Sequence, residues 1–294
     1  MTAAIDWLGV LAIRGPDALA FSHSQLANDV KALPDGGWQW NALLSIKGRV
    51  LALMLLLRTG PQEVLLVLPR ELRETTRATL ARYVLRSKLT LEPDDGLHVT
   101  GVLGDRTGWH PEPPATGGTI EQSPDGTLSI DLAGTHARRL CLRPWRTADG
   151  EDGLESTWRV ADVADGIPWI VPATADAFIP QALGLERLRA FSVSKGCYPG
   201  QEIVARTHFL GRSRRVLRRF DEPWSEPAPA AGTTLRASPA SDAAAAATVI
   251  ATVRRVDRML GLAVAVDAET VSAYFDGHDG IAAGEPRAIA LAPV

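Results

Sequence analysis

The run VLALMLLLRTGPQEVLLVLP at residues 50–69 constrains the fold more than any other part of this chain. It is the most apolar stretch present, yet Arg58, Gly60, Pro61 and Glu63 interrupt it. Each half falls well short of the ~20 apolar residues that a membrane-spanning helix needs. Residues 50–57 and 64–68 are β-type runs, and Thr59-Gly60-Pro61-Gln62 between them is turn chemistry, so the segment predicts a hairpin.

Neighbouring segments extend this into an α+β layer. Residues 7–13 predict a first strand, and Asp17 of the Gly15-Pro16-Asp17 turn is placed to cap a helix over 18–27. Residues 71–87 predict an amphipathic helix, with Leu72, Leu80, Val84 and Leu85 on its apolar face. Trp38 and Trp40 alternate as in a strand with one face buried and one partly exposed, and are assigned to packing. A second, smaller α+β unit begins near Val99, with short strands at 128–132 and 140–142. From Arg214 onward, β-type runs at 215–220, 233–237, 248–256 and 261–266 without helices predict a small barrel or sandwich. The alanines of 243–247 are too short a run to nucleate a helix and read as a loop.

The 294 residues suffice for two or three domains, each with its own core. A net charge of −3 offers no global basic field for nucleic acid, so direct nucleic-acid binding is not expected. Cys141 and Cys197 are far apart and in no CxxC pair, which gives neither a disulfide framework nor a zinc site, and no metal is expected. The first residues lack the basic and apolar regions of an export signal, so a cytoplasmic protein without membrane contact is expected.

The chemistry concentrates in Lys195-Gly196-Cys197-Tyr198-Pro199-Gly200-Gln201-Glu202. Pro199 suits the first position of a helix, Glu202 its first turn, and Gly211 its close. Cys197 then lies just ahead of a helix N-terminus. Unpaired backbone N–H groups there, and the Lys195 charge two residues away, both favour an ionised sulfur. Gly196 removes bulk beside it. Such a site suits a reactive thiolate, an anion or a soft metal. An ordinary free cysteine is a small buried residue, the reading that fits Cys141 between Leu140 and Leu142. Arg212, Arg214, Arg215, Arg218 and Arg219 form a basic cluster after the motif, read chiefly as a solvated strand edge. The six histidines are scattered, and His208 is expected at the surface.

The run KGCYPGQE resembles the signature of the YgfZ family of folate-binding proteins, which share their fold with the aminomethyltransferase (T-protein) of the glycine cleavage system. The likeness covers residues 158–211, including Gly166-Ile167-Pro168, Phe178-Ile179-Pro180-Gln181 and KGCYPGQEIVAR. Weaker echoes lie at Gln25-Leu26-Ala27-Asn28-Asp29-Val30 and Lys47-Gly48-Arg49. The resemblance implies two ferredoxin-like α+β units and a C-terminal β-barrel arranged as a ring, with domains at 1–98, 99–212 and 213–294. It implies tetrahydrofolate, or a one-carbon-substituted folate, at the centre. It also implies a role in maintaining iron–sulfur enzymes, including those that thiolate tRNA, with iron–sulfur client or assembly proteins as partners. The family's essential cysteine corresponds to Cys197, with Lys195 beside it, and its folate-contacting tryptophans to Trp158 and Trp7. Asp165, Gln181, Tyr198, Gln201, Glu202 and Arg206 complete the candidate ligand-contacting set. Indole is a good stacking partner for a flat pterin.

The sequence also departs from the family pattern. Ala164 stands where members carry the glutamate of an (I/L)-E-A-G-(I/F)-P stretch. Asp165 is one residue off, and in an extended segment it would face the opposite side. Gly184 replaces a frequent asparagine, and Ala27 a usual threonine. Two alternatives to a folate-binding accessory protein are a folate-dependent one-carbon transferase of the aminomethyltransferase type and a cysteine hydrolase. The missing acid counts against the first, and the second needs a histidine base within reach of Cys197.

Overall fold

The hairpin forms as its sequence dictates, because both of its faces are covered. In the computed structural model, which describes residues 2–104, 117–132, 134, 137–144, 154–224, 228–238, 244–268, 271–275 and 287–294, the chain begins with β1 (Thr2–Ala4), β2 (Leu8–Arg14), α1 (Ala18–Gln25) and β3 (Gly37–Leu44). The hairpin itself is β4 (Val50–Gly60) and β5 (Glu63–Pro69), followed by α2 (Arg70–Ala81). Residues 53–57 and 64–68 are at most 1% exposed, which is why they read as unbroken apolar runs rather than alternating ones. Next come β6 (Thr90–Pro93), β7 (His98–Leu103), β8 (Gly117–Thr119), β9 (Glu121–Gln122), β10 (Leu128–Leu132), β11 (Arg138–Arg143) and α3 (Leu154–Ala164).

These strands make two antiparallel sheets. The first runs β6-β2-β5-β4-β3-β8 and the second β1-β7-β11-β10-β9. The sheets exchange strands: β1 pairs with β7 in the second sheet, while β8 pairs with β3 in the first. Residues 1–98 and 99–212 therefore interlock.

Several local expectations are corrected. The predicted helix over 71–87 ends at Ala81. Its buried stripe is Leu72, Thr76 and Leu80, whereas Leu85 is fully outside, and a helix without a packed face gains little from continuing. Asp17 occupies the position before α1, but its carboxylate accepts from the Lys88 backbone N–H at 2.7 Å instead of capping the helix. Trp38 and Trp40 share the buried face of β3, at 1% exposure each. Cys141 is core, as expected, and its sulfur lies 3.4 Å from the Ser129 hydroxyl.

The remaining elements are α4 (Gln201–Leu210), β12 (Arg215–Pro223), β13 (Thr234–Arg236), β14 (Ala245–Arg255), β15 (Arg258–Val266), β16 (Val271–Phe275) and β17 (Arg287–Pro293). The strands close into a barrel in the order β12-β15-β14-β13-β16-β17. Of the predicted loop at 243–247, residues 245–247 belong to β14 and residue 243 lies outside the described residues. Ala246 and Ala247 are buried there, since small side chains fill a narrow barrel. Gly261 serves the same end: a side chain at that position would collide with the ring of Phe220. The architecture is mixed α+β with a closed six-stranded C-terminal barrel, the class expected from the sequence.

Candidate functional site

Residues 192–200 form a loop pinned by a set of hydrogen bonds. The Ser192 N–H donates to Ala27 O at 2.9 Å, and the Ser192 hydroxyl accepts from the Lys195 N–H at 3.2 Å. The Tyr198 hydroxyl donates to Ser192 O at 3.0 Å, and the Gln201 amide to Lys195 O at 3.1 Å. From beneath, the Gln181 amide donates to Val204 O of α4 at 3.0 Å.

Lys195 runs inward. It is 6% exposed, and its ammonium donates to His23 O, to Leu26 O at 2.5 Å and to Asn28 O at 3.3 Å. These carbonyls lie at and just beyond the C-terminal end of α1, where unpaired carbonyls and the helix dipole favour a cation. The sequence placed this charge beside the sulfur; the fold directs it into α1, where it anchors the loop. Burial lowers the Lys195 pKa to about 8, with nearby Asp29 opposing and Lys31 reinforcing. An unfolded lysine keeps its ordinary 10.5, so between about 8 and 10.5 the unfolded state binds more protons. Stability should therefore rise with pH through that window. Urea denaturation from pH 8 to 10.5 should show this rising contribution in the wild type, and the Lys195→Met variant should lack it. Burial also pushes Tyr198 up to about 12, which acts with the opposite sign above 10 in both proteins and cancels in their difference.

The helix begins later than the motif suggested. Gly200 adopts a left-handed backbone (φ 79°) and α4 starts at Gln201, not at Pro199. A side chain at Gly200 would collide with Ser45 O and come within 2.7 Å of Gly48 Cα. A side chain at Gly48 would in turn meet Ile203 Cβ at 2.7 Å. The Lys47-Gly48-Arg49 turn and the Pro199-Gly200 step thus meet backbone to backbone. Cys197 is left exposed, four residues before the first helical residue. Nothing lies within 4 Å of where a side chain at Gly196 would begin, so there is open space next to the thiol. Glu202 and Arg206 sit on the exposed side of α4.

The tryptophans gather elsewhere. Trp7, just ahead of β2, meets Trp169 edge-on at 5.5 Å between ring centroids, and Trp169 lies 5.2 Å from Trp40. Trp7, Arg159, Asp162, Ile167, Trp169 and Ile250 line a cavity of about 180 Å³. The Arg159 guanidinium stands 4.5 Å over the Trp7 ring. The indole N–H of Trp169 donates to Asp162 at 3.0 Å, whereas that of Trp7 is buried without a partner. Cys197 is not in the lining of this cavity.

Two candidate ligand contacts are corrected. Trp158, in α3, is 1% exposed and offers no open face for a planar ligand. One side packs where a side chain on Gly101 of β7 would be, at 2.5 Å, and the Arg138 guanidinium lies 4.9 Å from its ring. Asp165 follows directly on a helix rather than lying in an extended segment. Its carboxylate accepts from Arg138 at 2.7 Å, and the other arm of that guanidinium holds Asp162 at 2.5 Å. Both carboxylates and the arginine are buried. Arg138, Arg159, Asp162 and Trp169 were not singled out from sequence. Only Trp169 carried a signal, standing immediately after Gly166-Ile167-Pro168.

Among the described residues no three His, Cys, Asp or Glu side chains converge to hold a metal ion, and no helix is long and apolar enough to cross a membrane. The ring of His23 faces Asp29 at 3.3 Å and that of His208 faces Glu186 at 3.5 Å.

No model of a known protein family matches the chain. It is 30% identical to the tRNA-modifying protein YgfZ of Pectobacterium atrosepticum, over 72% of this chain and 67% of that one. The YgfZ protein of Cronobacter sakazakii is also 30% identical, over 72% and 68%. An uncharacterised protein of Haemophilus influenzae is 29% identical over 71% and 69%. In three dimensions the chain is similar to the glycine cleavage system aminomethyltransferase T of Bartonella henselae, with a TM-score of 0.67 at 12% identity, covering 100% of this chain and 85% of that one. That likeness makes the fold aminomethyltransferase-like.

Proposed function

Because the chain belongs to the YgfZ family of tRNA-modifying proteins, we propose that it is a tetrahydrofolate-binding accessory protein that supports the assembly or repair of iron–sulfur enzymes, tRNA-modifying ones included, through the thiol of Cys197. One observation carries this reading: the side chains of Lys195, Tyr198 and Gln201 turn inward to fix a loop that leaves Cys197 outside, beside open space at Gly196. Burying a small apolar residue requires no such scaffold. Presenting a thiol in one orientation to a metal–sulfur centre or an electrophile does.

The cavity at Trp7 suits the pterin of a folate. The buried indole N–H of Trp7 lacks an acceptor, which a pterin carbonyl or ring nitrogen supplies. Asp162 holds the Trp169 ring in place through its indole N–H, and the Arg159 guanidinium, exchanging its exposed pair with Glu155 at 3.2 Å, can take a carboxylate of a glutamate tail. The cavity volume fits a fused two-ring heterocycle and leaves the tail outside. When bound, a folate contributes the carriage of one-carbon units. The chain's own part is to orient it against the indoles that line the cavity and to exclude water from its ring face. A one-carbon transferase is disfavoured, because Ala164 brings no acid and the carboxylate of Asp165 is held by Arg138. Equilibrium dialysis against tetrahydrofolate tests the pocket. Binding should weaken about tenfold in Trp7→Phe, the loss of one hydrogen bond from a buried donor. Equal affinity in the variant, or no binding by the wild type, would remove this assignment.

A further inference from the structure

Among the described residues eight large apolar side chains are exposed, and four of them, Ile46, Ile203, Phe209 and Leu210, belong to α4 and the turn docked against it. Ile203, Arg206 and Leu210 fall on one face of α4 at helical spacing, with Phe209 beside Arg206. Val204 alone of the helix is fully buried. Contiguous apolar groups of this kind mark an interaction surface, whereas scattered ones do not.

The rim of the patch is cationic. Lys47, Arg206, Arg212, Arg214 and Arg215 are all exposed, and none makes an ion pair among the described residues. The basic cluster seen in the sequence thus divides in two. Arg218 turns inward to Ala268 O, with Asp267 at 3.5 Å, and Arg219 donates to Ala164 O at 3.1 Å. The outer three arginines are left unneutralised. Of the carboxylates near this face, Asp267 is paired with Arg218, while Glu186 faces the His208 ring, Asp176 accepts from Ser45 and Glu202 is exposed; with Arg49 of the turn, six cations stand against these three acids. In a chain of net charge −3 this local excess has no internal use.

We propose that the outer face of α4, with the Ile46 turn, is the docking surface for a second protein whose own surface sets carboxylates around an apolar centre, seating that protein within a loop's length of Cys197. Three of the four apolar groups are aliphatic and gain nothing from a phosphodiester backbone, while an apolar centre with a charged rim is the anatomy of a protein interface. A second copy of this chain fits badly, because a two-fold contact of the patch with itself opposes arginine to arginine. The inference goes beyond the folate and thiol reading and needs neither.

The test places a photoreactive benzoylphenylalanine at Leu210 of the full chain in cells. The expected adduct is with one protein, and the cross-linked peptide carries an apolar residue flanked by Asp or Glu. Its yield should fall at least tenfold when Arg206→Glu, Arg212→Glu and Arg214→Glu are combined, and should return when the partner's carboxylates are changed to lysine. Phe209→Asp gives a second, single-site variant with the same expected loss, and thermal melts should show both variants folded. The adduct should persist in Cys197→Ala and Trp7→Phe, so failure of the folate or thiol assignment leaves it unaffected. Adducts with RNA or with another copy of this chain, no adduct, or a yield indifferent to charge reversal would each overturn the proposal.

Discussion

Under the proposed function, replacing Cys197 by alanine should abolish rescue of iron–sulfur enzyme activity in cells lacking their own YgfZ-type protein, and should leave the protein's stability unchanged. The two halves of that expectation have separate causes. Cys197 is exposed and accepts no hydrogen bond among the described residues, so truncation should shift stability by no more than about 0.5 kcal/mol. Its scaffold does not depend on the sulfur, since Lys195, Tyr198 and Gln201 bond to backbone carbonyls. Cys141→Ala supplies the converse control. That residue is buried, so the change should cost about 1 kcal/mol while rescue persists. Client enzyme activity and a urea melt on each variant decide the matter. Full rescue by Cys197→Ala would end the thiol mechanism.

The largest effect on folding should come from Arg138→Leu. This guanidinium is fully buried and joins two buried carboxylates, Asp162 and Asp165, while covering Trp158. Removing it takes from both buried acids the cation they share, which costs about 3–5 kcal/mol. The triple change Arg138→Leu, Asp162→Asn, Asp165→Asn should recover a large part of that loss, since no buried charge remains. Burial already raises the pKa of Asp162, so lowering the pH, which neutralises the stranded acid, should narrow the gap between Arg138→Leu and the wild type. Urea denaturation at neutral and mildly acidic pH measures both effects. A loss below about 1 kcal/mol would mean that water reaches the triad and that the pair is of the surface kind.

Much of the architecture could be read from the residues. The hairpin was legible because its composition left no alternative, and the barrel because short strands recur without helices. The thiol loop was legible as a motif, yet its physics was not. Lys195 lies two residues from Cys197 in sequence, and proximity along the chain suggested an electrostatic role. Its actual partners are carbonyls 167–172 residues away, which no local pattern announces. Arg138 was invisible for a related reason: its carboxylates lie 24 and 27 residues downstream, one within α3 and one just after it. The helix that places Asp165 beside Arg138 also overturned the extended reading of that segment. Trp158 and Trp169 differ little as sequence signals, but the glycine at position 101 decides which indole the second sheet covers.

The exchange of β1 and β8 between sheets bears on how the protein is made. Thr2 aligns with Val102, and Gly37 with Thr119, so during synthesis β1 must wait for a strand about a hundred residues later. Synthesis has to run past both exchanged strands before either sheet gains its last hydrogen-bonded edge. Until then the nascent chain carries open strand edges next to its most oily hairpin, a state in which chaperone capture competes with self-association.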